Sequence, residues 1–187
     1  ICLDSGTGDY KRLWTTTSLR GLIGLKLRVD VLKEGVHSGG ASGYVPSSFR
    51  VARQLLSRIE NQETGEILLD ELKVKIPDFR TKETKKYVQV IGKELKKEFP
   101  WVSNMQPSTD NDVEGVLRRT WRPALSVVGG GGLPPSENAG NVLRPYTELQ
   151  LSIRIPPFID QKKAQSAVKN VLLENPPYNS KISLVFD

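Results

Sequence analysis

His37 is the only histidine in 187 residues, and it sits in EGVHSGG, a segment rich in glycine. An imidazole in such a loop can carry a proton, hold a metal or hydrogen-bond a developing charge. Loops on a rigid scaffold deliver groups of this kind to substrates, although an exposed histidine with no task reads the same way. Arg154, in LSIRIPP, is the second candidate. Its planar fork suits a carboxylate or a phosphate, and the plain alternative is an arginine on the solvent face of a sheet. Asp4, in ICLDSG, is by itself only an acid after a short apolar run. Glycines 129–132 follow a strand pattern but lack GK[ST] and lead into LPP, so a flexible connection is expected there rather than a phosphate cradle.

Composition limits the chemistry further. One His and one Cys (Cys2) exclude a disulfide framework and a Cys-rich zinc module. A catalytic zinc site takes two or three imidazoles, which this chain alone does not supply. No apolar run approaches the length of a membrane span. The start, ICLDSGTGDY, has no basic n-region, so no secretory leader is expected. It also has no initiator Met, so the sequence is expected to begin inside a longer protein. The formal charge of +6 is local: residues 72–99 hold nine Lys/Arg and four acids. A solvated helix face explains that run. An RNA-binding surface would need aromatics on the central strands, and strands 25–32 and 147–155 place none on their polar faces.

These candidates need elements to position them. Leu25, Leu27, Val29 and Val31 alternate with charged residues, which predicts a half-buried strand over 25–32. A Gly/Ser loop carries His37. Pro46-Ser47-Ser48 opens a helix capped by Ser47 or Ser48, with Phe49, Ala52, Leu55, Leu56 and Ile59 as its apolar stripe, running out near Asn61. An insertion at about 63–122 follows. It holds a partial strand pattern at 67–77, a helix over 82–99 capped by Thr81 and stopped by Pro100, and a short helix from Asp112 to Arg119. Residues 123–128 and 142–156 read as strands, and Arg154 points off the apolar face of the second. Asp160 caps a helix bearing Ala164, Ala167, Val168, Val171 and Leu172. The last strand, 181–186, turns Ile182, Leu184 and Phe186 inward. The expected fold is α+β: a ferredoxin-like β-α-β-β-α-β antiparallel sheet with two helices on one face and an inserted helical segment.

Taken in order, ICLDSG, TTSLRGLIGLKLRVDV, EGVHSG, LLSRIENQETGEILL, WRPALSVVGGGG and GNVLRPYTELQLSIRIPP resemble the M20 family of zinc-dependent peptidases, in its carnosinase-like cytosolic dipeptidase branch. The resemblance covers essentially the whole chain, and the spacings of 33 from Asp4 to His37 and 13 from Asn141 to Arg154 suit that branch. It implies that residues 1–16 end a catalytic-domain strand and form a linker, and that 17–187 are the lid, or dimerisation domain. It further implies Asp4 as a metal ligand, His37 as the oxyanion histidine, Asn141 as a polar pocket residue and Arg154 as the carboxylate clamp.

The same resemblance implies a parent enzyme with two divalent metals, zinc or manganese. Such an enzyme hydrolyses dipeptides or similar amides with a free carboxylate, and the lid acts across a homodimer. Only one metal-ligand position of the family falls in this chain, so the chain alone is expected to hold no catalytic metal and to be inactive. Its implied partners are a second copy, the parent's catalytic domain and a peptide substrate, with no nucleic acid and no membrane, in the cytoplasm. An aminoacylase- or desuccinylase-type lid and a non-catalytic dimerisation module are the alternatives.

Overall fold

The computed structural model describes residues 6–187. Asp4 lies outside the described residues. In chain order the elements are β1 (Gly21–Asp30), β2 (Val36–His37), α1 (Ser38–Ala41), α2 (Ser48–Leu56), α3 (Asp78–Leu95), α4 (Asp112–Thr120), β3 (Ala124–Gly131), β4 (Val142–Leu143), β5 (Tyr146–Ile155), α5 (Gln161–Leu173) and β6 (Lys181–Phe186). Among the described residues no helix is long and apolar enough to cross a membrane.

Alternation builds the sheet. Ile23, Leu25, Leu27 and Val29 of β1 are fully buried, as are Leu151 and Ile153 of β5, while the residues between them face the other way. β1 pairs antiparallel with β5 along its whole length, from Gly21 opposite Ile155 to Asp30 opposite Tyr146. β6 adds to the free edge of β1 and β3 to that of β5, giving the antiparallel order β3-β5-β1-β6. The helices α2 and α5 cover one face. Val51, Ala52 and Leu55 of the first and Ala164, Val168 and Leu172 of the second enter the common core. This is the ferredoxin-like arrangement expected from the sequence.

The differences have local causes. β1 starts at Gly21, ahead of the expected 25, because Gly24 hides a strand position: a Cβ there would lie 2.0 Å from Asp187 Oδ2. Ser47 stands at the N-cap of α2 without a side-chain cap bond. Ser48 turns inward instead, its hydroxyl 2.9 Å from that of buried Thr147. Val51 takes the buried place expected for Phe49, which is part-exposed, and α2 ends at Leu56. No strand forms over 67–77: Ile67 makes a single bridge to Glu60, and Asp70–Leu72 is a 3-10 turn. α3 begins at Asp78 behind Pro77, so Thr81 lies inside the helix and does not cap it. α4 and α5 start where predicted. The Asn111 side chain accepts the Glu114 N–H at 3.1 Å, and that of Asp160 accepts the Lys163 N–H at 2.9 Å.

Glycines 129–131 overturn the expected flexible connection. They continue β3 after a bulge at Val127/Gly129, opposite Gln150, Leu149 and Glu148. Only Gly132 leaves the strand, at φ +86, where a Cβ would lie 2.4 Å from the Tyr146 carbonyl oxygen. The insertion also holds the chain that leads into β1. The Trp14 ring packs edge-on against Tyr87 at 5.6 Å, Arg80 Nη1 donates to Thr17 Oγ1 at 2.7 Å, and Arg20 Nη1 donates to the carbonyls of Arg118 and Arg122 at 3.0 and 3.1 Å.

Candidate functional site

His37 and Asn141 are brought together by a two-residue ladder. β2 pairs with β4, setting His37 opposite Val142, and the Ser38 N–H donates to the Asn141 carbonyl at 2.8 Å. The chain reaches this point directly from β1, since the N–H groups of Val31 and Leu32 both donate to the Pro145 carbonyl. Both side chains are exposed. His37 ends β2 and caps α1: its Nδ1 accepts the Gly39 N–H at 3.1 Å. In the neutral ring the proton then resides on Nε2, for which no partner is found among the described residues. Glycine at 39 keeps this contact possible, as a Cβ there would come within 3.0 Å of the imidazole.

Arg154 occupies the other end of β5. It is opposite Leu22 of β1 and Ala124 of β3, on the face away from the helices, and its side chain is exposed. Among the described residues no carboxylate pairs with it. Charges nearer the His37 end of the same face are paired: Arg28 Nη2 with Asp30 Oδ1 at 2.8 Å, and Lys26 with Glu148 at 3.6 Å. The structure therefore joins two of the three described candidates and sets the third apart. Arg154 lies eight residues along β5 from Tyr146, about 26 Å at about 3.3 Å per residue. Asp4 is outside the described residues.

Arg20 was not legible as a neighbour of Arg154. It is 134 positions away, and only the register of β1 and β5 brings the two guanidinium groups close. Burial lowers the Arg20 pKa from its usual value, and the like charges of Arg154 and then Arg119 add to that. The arginines of α4 both face carboxylates, though Arg118 shares its partner with Arg122. Arg119 makes a bidentate pair with Glu98 at 2.7 and 2.7 Å, which raises its pKa, and Arg118 reaches Glu114 at 3.4 Å. Among the described residues no group of three His, Cys, Asp or Glu side chains is placed to hold a metal ion.

Residues 17–179 match the family model of the M20 peptidase dimerisation domain. A curated relative, the cysteinylglycine-S-conjugate dipeptidase of Corynebacterium striatum, is 27% identical over 174 residues, which is 90% of this chain and 35% of that protein. Among solved structures, human carnosine dipeptidase 1 aligns with a TM-score of 0.74 at 18% identity, covering 93% of this chain and 38% of its own. The dipeptidase Dug1p of Saccharomyces cerevisiae aligns at 0.70 and 20%, covering 90% and 35%. An M20 family metallo-carboxypeptidase of Sulfolobus solfataricus aligns at 0.72 and 18%, covering 89% and 37%. These structural likenesses bear on the fold, and the chain spans about a third of the length of each relative.

Proposed function

Because the chain belongs to the M20 peptidase dimerisation domain family, we propose that it is the lid of a longer, dimeric amide hydrolase acting on dipeptides or similar amides with a free carboxylate. Residues 17–187 form that lid, and the residues before them lead from the catalytic domain. The observation that carries this reading is the separation of two complementary groups, one on the β2–β4 ladder and the other far along β5 of the main sheet. An N–H donor at His37 stands beyond one end of β5, and an uncompensated arginine fork at Arg154 stands near the other.

A dipeptide spans only about 7 Å, against about 26 Å along β5. One lid therefore cannot place both groups on one substrate. Two lids related by a two-fold axis can: His37 and Asn141 of one meet the substrate held by Arg154 of the other. In this arrangement His37 Nε2–H donates to the carbonyl oxygen that gains charge as the amide is attacked. Arg154 takes the substrate carboxylate with two parallel hydrogen bonds. Asn141, beside the histidine, supplies a further donor or acceptor.

The described residues do not fit a pair of catalytic metals. The one histidine is capping α1, and no acidic cluster accompanies it. Asp4 remains the single position proposed to ligate, so the other ligands and the general base belong to the catalytic domain, and the chain alone is inactive. In the full-length enzyme His37→Ala is expected to lower kcat about 10²–10³-fold with unchanged metal content, and an unchanged kcat would refute the donor role. Arg154→Ala is expected to raise KM for free-acid dipeptides and to spare their C-terminal amides. Equal losses on both would remove the clamp.

A further inference from the structure

We infer that the cavity between α3, α4 and the start of β3 receives the apolar side chain of the substrate residue whose carboxylate Arg154 holds, so that the lid selects for a bulky apolar residue at that end. This rests on the clamp reading of Arg154. The cavity measures ≈ 310 Å³, and its walls are Leu95, Phe99, Trp101, Pro107 and Val116, with Arg20 and Ala124 also lining it. Ala124 is the direct cross-strand partner of Arg154, and such partners hold their Cβ atoms about 4.5–5.5 Å apart. Arg154 does not itself line the cavity, but it adjoins two residues that do, Ala124 across the strands and Arg20, whose charge it opposes.

Charge tells what fits there. Arg119 is compensated by Glu98, while Arg118 shares the Glu114 carboxylate with Arg122. Arg20 spends its Nη1 on two backbone carbonyls, which leaves its positive charge without a carboxylate, and Arg154 likewise has none among the described residues. Arg20 and Lys96 at the cavity and Arg154 beside it have no carboxylate partner among the described residues, and next to hydrocarbon walls they complement a carboxylate carried one side chain away from an apolar group. The Asp112 carboxylate, also at this cavity, faces α3: its Oδ2 lies 3.7 Å from where a Cβ on Gly92 would be. The walls are pre-formed, with Phe99 edge-on to Trp101 at 5.7 Å and the Arg119 guanidinium over Phe99 at 5.1 Å. The volume sits at the small end of the range for ligand pockets, about 300–1,000 Å³, which suits one side chain and not a second residue.

The test titrates the 187-residue chain by NMR with N-acetyl-L-leucine, N-acetylglycine, N-acetyl-L-leucinamide and hexanoate. N-acetyl-leucine is expected to bind at least about tenfold tighter than N-acetylglycine, and leucinamide to bind no better than N-acetylglycine. Equal binding of leucine acid and amide would overturn the inference. Hexanoate binding as tightly as N-acetyl-leucine would mark a site for simple fatty acids and also overturn it. Gly115 lines the cavity and a Cβ there would meet only Thr109 Cγ2 at 3.7 Å, so Gly115→Met fills the cavity without a backbone clash while raising helix propensity in α4, and an unchanged amide spectrum away from the cavity checks its fold. The variant is expected to bring the leucine preference to within about twofold and to leave N-acetylglycine binding unchanged. A preference that survives in this variant would overturn the inference without touching the clamp. Arg154→Ala is expected to abolish binding of both acids, and acids that still bind would overturn the clamp reading itself.

Discussion

Mixing two crippled full-length enzymes tests whether His37 and Arg154 serve different active sites. One carries His37→Ala and the other Arg154→Ala, and the two are dissociated and reassembled in equal amounts. Arg154 stands about 26 Å along β5 from Tyr146, the end beyond which His37 lies, while a dipeptide reaches about 7 Å, so on the proposed roles no single lid uses both on one molecule. In a mixed dimer, one site then combines the intact His37 of one subunit with the intact Arg154 of the other, and the second site lacks both. Random pairing makes half the dimers mixed, each with one working site, so the mixture is expected to recover about a quarter of wild-type activity. The His37→Ala parent alone stands about 10²–10³-fold down, which leaves a wide margin. The double variant mixed with wild type gives the converse. Its mixed dimers lose one group at each site, so activity falls to about a quarter, whereas a lid that supplied both groups to one site would leave about half. The assay is kcat/KM on a free-acid dipeptide after reassembly, read at substrate well below the wild-type KM so that the loss of either group registers. A mixture no more active than the mean of its two parents would refute the reasoning.

Gly132→Ala is expected to destabilise the fold by at least about 1–3 kcal/mol. Its φ of +86 is strained for any L side chain, and the new Cβ would meet the Tyr146 carbonyl, a backbone atom that cannot swing aside. An unchanged melting temperature would show that the turn is not as described. Glu114 has its pKa lowered from 4.5, first by the hydrogen bonds from Arg122 at 2.6 and 3.0 Å. Its contribution to stability is therefore full above its unfolded pKa and is lost as pH falls through the lower folded value. Glu114→Gln is expected to reduce stability in urea at neutral pH, and that deficit is expected to shrink as pH falls below 4.5; a deficit that keeps its size as the solution is acidified would contradict that linkage. Asp160→Ala removes the acceptor for the Lys163 N–H and is expected to cost about 1 kcal/mol, read as a shift in the denaturation midpoint.

The sheet was legible because burial on one face imposes a period of two, and Leu25, Leu27, Leu149, Leu151 and Ile153 keep it without interruption. The helices α2 and α5 were legible by the same route at period 3.6, and α5 also by its aspartate cap. The errors fall where local propensity and tertiary demand part. Glycines 129–131 look like a loop because they have no side chain to alternate, yet the backbone of β5 offers them partners, and strand pairing needs only N–H and C=O groups. Residues 67–77 err in the opposite direction. Their apolar residues are there to bury Ile67 and Leu72 under the sheet helices, and no strand edge is within reach to pair them. Phe49 was misplaced because the helix turns its Val51 face inward, a rotation the stripe alone left undecided.

For the site, sequence spacing and spatial spacing run in different directions. Asn141 and His37 are 104 residues apart, and a two-residue ladder makes them neighbours. Asn141 and Arg154 are 13 apart, and the extended β5 carries them toward its opposite ends. The second fact follows from strand geometry alone: each residue advances about 3.3 Å, so a strand long enough to cross the sheet outreaches a two-residue substrate several times over. A lid that must both hold a carboxylate and steady a developing charge can do so on such a sheet only by dividing the tasks between two sites. On the proposed roles, two-fold pairing is then a condition for assembling either site, since the strand that separates the two groups in one copy leaves His37 to serve the substrate held by the other copy's Arg154.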